Sequence, residues 1–319
     1  RCLSDWSSDV CSSDLIWRVV MGANFGDWLA LDAQNPMDET TPKALVATAM
    51  LKRSLDQIAD LGEAIGKNEE AARFRRLSTD VAAAFRREFV AADGTVGNGS
   101  HTSYILAIRL GLLTDPQKAV AGRLLAADIR RRGTLLSTGF LGTPLSLDAL
   151  ADVGEGALVY DLLLRTDFPS WGYMVARGAT TIWERWNGDT GDVAMNSFNH
   201  YALGAVVGFL YRRIAGIEEI EPGFARFRIA PLFDPRVPSA SADYDSIRGR
   251  ISVQWRFDQR GSLTLKASVP PNTEAEIILP VPDGKRLVAT DGARLLSGAK
   301  GVARHIVGGG TWTFTVEEL

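Results

Sequence analysis

The sequence predicts a mainly α region followed by an all-β region: an array of helical hairpins, then an antiparallel β-sandwich. Apolar residues recur at helical spacing from about Asp38 to Ile217. From about Pro222 the apolar period falls to two, the signature of half-buried strands. Gly, Pro and Asp clusters separate the helical stretches, and Gly/Pro/Asn turns separate the strands.

Thr41-Pro42 reads as an N-cap with proline at the first helical position, opening a long helix that ends near Gly66. Asn68-Glu69-Glu70 caps the next, which carries Phe74, Leu77, Val81, Phe85 and Phe89 on one face. His101–Leu112 gives a third. Asp115-Pro116 opens a fourth, closed by Arg130-Arg131-Arg132-Gly133, where arginines suit the negative end of the helix dipole and glycine suits the C′ position. Further helices are predicted over Thr143–Val153, Glu155–Arg165, Gly178–Trp186 and Met195–Ile217. In the β region Ile251, Val253, Trp255 and Phe257 alternate with polar residues before a turn at Asp258–Gly261. Leu263, Leu265, Ala267 and Val269 alternate again, and Pro270-Pro271-Asn272 breaks the chain. Ala275, Ile277 and Leu279 form another strand, and Trp312, Phe314 and Val316 the last.

A formal net charge of −3 with no basic block argues against nucleic acid or an anionic membrane as partner. No apolar run approaches the ~20 residues that a membrane helix needs. The first fifteen residues have neither period. Asp5–Leu15 resembles the translation of a sequencing-library adapter read into a truncated gene, the other reading being a disordered polar tail. Residue 1 is Arg, so the authentic start is expected upstream and the compartment is not readable. Both cysteines, Cys2 and Cys11, lie in this leader, so Ile16–Leu319 carries no disulfide and no thiolate metal site.

The stretch Pro169–Trp186 holds the densest chemistry. It sets Glu184 between Trp183 and Trp186, with Trp171 and Tyr173 upstream. Aromatic faces bind the weakly apolar C–H edges of sugars, and a carboxylate in such a wall suits general acid, base or nucleophile in glycoside cleavage. The competing reading pairs Glu184 with Arg185 or Arg177 and leaves the tryptophans as core. His200, in Met195–Tyr201, is either a donor to a sugar hydroxyl or a capping or core histidine. Phe25-Gly-Asp-Trp28 again sets an aromatic beside a carboxylate: Asp27 and Trp28 are candidate sugar contacts, with Asp27 orienting a sugar or a water, or Asp27 is a turn residue capping the helix that follows. Leu136–Pro144 is a tight loop of small residues that lets backbone approach a ligand closely, the other reading being a loop that only joins two helices. His101, His200 and His305 lack metal-ligand spacing, and we expect neither metal nor cofactor.

Leu136–Pro144, Pro169–Trp186, Asn196–Tyr201 and Pro222–Pro231 together resemble the C-terminal part of bacterial α-L-rhamnosidases, collinearly over about Val19–Leu319. The resemblance implies the C-terminal portion of an (α/α)6 six-hairpin catalytic domain over 16–221, a C-terminal β-sandwich over 222–319, and a leader over 1–15. It implies release of terminal α-L-rhamnose from glycosides or oligosaccharides with inversion. Glu184 then matches the general base, His200 a sugar-contacting histidine, and Trp171 and Trp183 the pocket wall. The family's general acid lies in an Asp-Glu-Arg-x-Gly-Trp type segment that these 319 residues do not contain. An inverting site needs two carboxylates about 6.5–9.5 Å apart, and an (α/α)6 barrel twelve helices, more than are counted here. The expectation is an incomplete barrel with an open apolar face, inactive and poorly soluble by itself. Two alternatives stand beside it: another six-hairpin glycosidase, such as a fucosidase or glucoamylase-like hydrolase, and a non-catalytic rhamnose-binding module.

Overall fold

In a computed structural model the described residues are 14–18, 25–34, 40–190, 196–299 and 301–318. The readings that fall on Cys2, Cys11, Asp38 and Met195 lie outside them. The chain divides into two compact units, one ending at Gly204 and the second beginning at Ala205.

In the first unit, helices α1 (Lys43–Ala64) and α2 (Asn68–Phe89) form a hairpin. Its turn is made by Gly66 at φ +76°, a conformation that costs glycine nothing. Leu45, Ala49, Leu55 and Ala59 on one helix and Ala71, Val81, Ala82 and Phe85 on the other are buried; of the five residues read as one face of α2, Val81 and Phe85 are buried and Phe74, Leu77 and Phe89 half-buried. Helix α3 (His101–Arg109) starts at Ser100, whose hydroxyl accepts from the Ser103 amide, and every residue from His101 to Ile108 is buried. Helix α4 (Asp115–Arg131) follows Thr114, whose own amide donates to the Gln117 side chain, so the cap is Thr114 rather than Asp115. Helices α5 (Thr143–Asp152) and α6 (Gly156–Leu163) complete the next hairpin, and α7 (Trp171–Ala176) is a short turn capped by Ser170.

Two predicted helices differ. Gly178–Trp186 is not helical. Gly178, at φ +81°, ends α7: its amide donates to Val175 and the Ala179 amide to Met174. The residues that follow form no helix or strand, with the Glu184 amide bonded to the Ser197 carbonyl and the His200 amide to the Ile182 carbonyl. The helix predicted over Met195–Ile217 is broken. Residues 196–200 are non-helical, and α8 (Tyr201–Gly204) is followed in the second unit by α9 (Val206–Phe209) and a π-turn, Leu210–Ile214. Gly204 and Gly208 each lower helix propensity by about 1 kcal/mol relative to alanine, enough to interrupt so short a run.

Among the described residues the second unit holds ten strands in two five-stranded sheets: β1 (Ile217–Glu219), β2 (Arg226–Ile229), β3 (Ser239–Ser246), β4 (Gly249–Phe257), β5 (Leu263–Val269), β6 (Glu274–Pro280), β7 (Lys285–Ala289), β8 (Arg294–Ala299), β9 (Val302–Val307) and β10 (Gly310–Glu318). One sheet runs β1-β2-β6-β9-β8 and the other β3-β4-β5-β10-β7. Pairing is antiparallel except for β2 against β6, joined in parallel with Phe227 opposite Ala275. The inward residues are those picked out by the two-residue period: Ile251, Val253, Trp255, Leu263, Leu265, Phe314 and Val316 are buried. His305 of one sheet meets Phe314 of the other edge-on at 5.4 Å, and the Trp255 indole donates to the Ile214 carbonyl at 2.8 Å. The predicted mainly-α-then-sandwich architecture is the one observed, with one parallel pair inside an otherwise antiparallel sandwich.

Candidate active site

The site is built on a close contact between two loops of the first unit. Gly139 lies against the turn at 27–30: a Cβ there would stand 2.2 Å from the Trp28 carbonyl oxygen, so no side chain fits. A Cβ on Gly142 would meet the Thr102 hydroxyl at 2.2 Å. With the glycines in place, the Phe140 amide donates to the Trp28 carbonyl at 2.9 Å and the Leu31 amide to the Ser137 carbonyl at 3.0 Å. The Leu136–Pro144 loop thus packs its backbone against a second segment, a contact that neither reading of the sequence anticipated.

Asp27 holds the contact together. It is 5% exposed. Oδ2 accepts from the Gly139 amide at 2.8 Å and from the Thr102 hydroxyl, and Oδ1 from the Leu141 and Gly142 amides at 2.8 and 3.1 Å. These amides lead into α5, so the carboxylate caps that helix from a distant part of the chain. Burial pushes the Asp27 carboxyl above the usual carboxylate range, while the four donors pull it back down. Next to it Leu29 takes φ +60°, a left-handed conformation costing a bulky residue roughly 1–2 kcal/mol, held by the 27–30 turn and the Phe140 bond.

Between these loops and the 184–187 segment is a groove of about 230 Å³. Leu29, Ala30, Phe140, Trp186 and Leu203 supply apolar surface, and Glu184, Arg185, Asn187, Gln34 and Thr138 supply polar groups. Glu184 is half-buried, and Oε2 accepts from the Ser197 amide at 2.9 Å. Its own amide donates to the Ser197 carbonyl, so the carboxylate is held on a two-bond ring with that residue. Among the described residues Oε1 accepts no hydrogen bond and Glu184 makes no ion pair; Arg177 is engaged with Asp189 at 2.6 Å. Neither arginine neutralises Glu184. The Arg185 Nε is buried and finds no acceptor among the described residues. A sugar hydroxyl can answer such a donor.

His200 stacks on Tyr201 and on Phe140 of the groove wall, with ring centroids at 4.9 and 4.7 Å. The Ala202 amide donates to Nδ1 at 3.2 Å. Nδ1 is thus the acceptor and Nε2 carries the proton, which meets no acceptor among the described residues.

The other aromatic candidates stand behind the groove. Trp171 is 8% exposed, its indole donates to the Leu203 carbonyl at 2.9 Å, and it meets Trp186 edge-on at 5.0 Å. Trp183 packs over Gly188, where a Cβ would fall 2.9 Å from it, and edge-on against Phe198. Trp28 sits edge-on to Phe25 at 5.2 Å and gives its carbonyl to Phe140. Of the six residues singled out in the sequence, Glu184 alone lines the groove; His200 borders it through Phe140. Trp186, Phe140, Arg185 and Leu203 were not singled out as site residues. Trp186 was visible only as a flank of Glu184, Arg185 only as its possible ion-pair partner and Phe140 only as part of the Leu136–Pro144 loop, while Leu203 carried no local signal. Among the described residues no three His, Cys, Asp or Glu side chains gather as a metal site would need.

Comparison with known proteins bears on this geometry. The family model of the bacterial α-L-rhamnosidase six-hairpin glycosidase domain matches residues 6–214, and that of the bacterial α-L-rhamnosidase C-terminal domain matches residues 216–294. An α-L-rhamnosidase of Streptomyces avermitilis is 39% identical over 297 residues, 92% of this chain and 28% of the relative. One from Formosa agariphila is 38% identical over 272 residues, 83% of this chain and 29% of the relative. The crystal structure of the Streptomyces avermitilis enzyme complexed with L-rhamnose superposes with a TM-score of 0.86 at 36% identity, covering 96% of this chain and 29% of that one. The α-L-rhamnosidase of Aspergillus terreus gives 0.81 at 30% identity, covering 95% and 35%. The chain thus spans 28–29% of the length of these two curated relatives.

Proposed function

This chain belongs to the bacterial α-L-rhamnosidase family, and on that premise we propose that the full-length protein hydrolyses terminal α-L-rhamnose from glycosides or oligosaccharides with inversion. The observation that carries the reading is Glu184: a half-buried carboxylate on the groove, fixed through one oxygen by the Ser197 amide, with the other oxygen unbonded among the described residues. A general base needs that combination, because it must be held still and yet keep a lone pair for the proton of a water. In the proposed step Glu184 takes that proton as the water's oxygen attacks the anomeric carbon, and the leaving oxygen receives a proton from a second carboxylic acid. The Nε2–H of His200 and the buried Nε–H of Arg185 suit sugar hydroxyls. Leu29, Ala30, Phe140 and Trp186 suit the apolar edge and methyl group of a 6-deoxy sugar. Trp171, Trp183, Trp28 and Asp27 act by holding these groups in place.

Glu184 is the one carboxylate among the groove-lining residues described. We therefore propose that residues 16–319 alone catalyse no hydrolysis. Aryl α-L-rhamnoside, α-L-fucoside and α-D-glucoside, offered in parallel to the full-length protein and to residues 16–319, test both statements. Cleavage of the rhamnoside by the full-length protein alone, with the β-anomer as first product by NMR, is the expected result. Preference for another glycoside, or an α-anomer first, overturns the reading. Saturable rhamnose binding without turnover by the full-length protein would favour a binding module instead.

A further inference from the structure

A buried histidine outside the groove braces the two loops that form one of its sides. His101, at the start of α3, is 1% exposed. Its Nδ1 lies 3.2 Å from the Ser137 amide and its Nε2 2.9 Å from Asp128 Oδ2 on α4. A main-chain amide can only donate, so Nδ1 is unprotonated and Nε2–H donates to Asp128. Ser137 is the residue whose carbonyl takes the Leu31 amide, and Thr138, Gly139 and Phe140 follow it into the groove. Asp128 in turn takes Arg132 Nε at 2.6 Å, and the Arg132 guanidinium lies 3.8 Å from Asp32, next to Leu31 in the partner loop. Arg131 also donates to Asp128. The chain of contacts runs from one loop, through α3 and α4, to the other.

We infer that His101 is a positioning residue for the site, a neutral imidazole that locks the Ser137–Phe140 wall and releases it when protonated. Protonation places an N–H on Nδ1 against the Ser137 N–H, two donors face to face, and the wall's anchor is lost. The charged groups facing the ring are Asp128 and Asp32, which favour the imidazolium, and Arg132, which opposes it. Burial is the largest influence and holds the imidazole below its ordinary range, so the neutral form prevails at neutral pH. The inference concerns how the proposed rhamnosidase site is held, and rests on that reading only where activity is measured.

The test uses the full-length protein and two variants, His101→Gln and His101→Leu. Glutamine keeps an acceptor and a donor without titrating; leucine keeps neither. The first measurement needs no substrate: amide exchange of the peptide covering Thr134–Leu141, corrected for intrinsic rates, between pH 7.5 and 4.5. Wild type is expected to lose at least tenfold protection as pH falls, His101→Gln to change less than threefold, and His101→Leu to be exposed throughout. The second is kcat and KM for an aryl α-L-rhamnoside over the same range. His101→Gln is expected to lose the wild-type rise in KM at low pH, and His101→Leu to show a raised KM at every pH. Exchange in His101→Gln that follows the wild-type pH course, or in His101→Leu that stays protected, overturns the inference. Absence of rhamnoside hydrolysis in all three proteins fails the proposed function, while the exchange arm still decides the role of His101.

Discussion

Replacing Asp27 by asparagine changes one oxygen to an amino group at a site where four donors converge. The cheaper orientation puts Nδ2 at the Oδ2 position, because the Thr102 hydroxyl can rotate and accept from it, leaving only the Gly139 amide facing another donor. The other orientation orphans both the Leu141 and Gly142 amides. A buried unsatisfied donor costs about 1–3 kcal/mol, so Asp27→Asn is expected to destabilise the first unit by roughly that amount. Relief of the carboxylate's burial, which raises its pKa, moderates the loss. Asp27→Ala orphans all three amides and opens a void. On the same scale it costs about 3–9 kcal/mol, enough to threaten a marginally stable fold. Urea titration of the full-length variants gives the size. Amide exchange gives the location, with the change confined to residues 139–142 in the asparagine variant. Stability within 0.5 kcal/mol of wild type for both variants, with unchanged exchange at these amides, would refute the reasoning.

Two further outcomes follow from the same loops and their support. Gly139→Ala sets a Cβ 2.2 Å from the Trp28 carbonyl oxygen, and since backbone faces it on both sides the loops must part; a loss of at least about 1–3 kcal/mol is expected by denaturant titration, with a raised KM for the rhamnoside. Burial pushes the Asp128 carboxyl up, yet hydrogen bonds from Arg132 and Arg131 outweigh it and hold its pKa at about 2. A carboxyl depressed in the folded state contributes its stability above the unfolded value of ~3.9 and loses it as pH falls toward 2. Asp128→Asn is therefore expected to flatten the acid limb of stability below pH 4, read by thermal melts across pH 2–7.

The parts of this fold legible in the sequence are those whose signals are local. Ile251, Val253 and Trp255 announce their strand by a period that the chain repeats every two residues, and Pro42, Asn68 and Arg130–Gly133 mark helix ends within a turn of themselves. Gly178 misled because glycine is compatible with either end of a helix, and only its left-handed φ shows that it closes α7. The four donors to Asp27 lie 75–115 residues away, and the partners of His101 27 and 36 residues away. No pattern along the chain reports such meetings. Likewise the choice of Trp186 over Trp183 as groove wall depends on how the non-periodic 177–190 segment turns, which no spacing encodes. Glu184 was legible because its neighbours in sequence are also its neighbours in space.

The most direct test of the account is turnover of an aryl α-L-rhamnoside by the full-length protein carrying Glu184→Gln, with rhamnose affinity measured alongside by calorimetry. The amide keeps the acceptor for the Ser197 amide but cannot take a proton from water. The account predicts kcat reduced by about 10²–10⁴-fold, the usual worth of a positioned base, with rhamnose bound within a few-fold of wild type. Unchanged kcat in a protein that still binds rhamnose would contradict it.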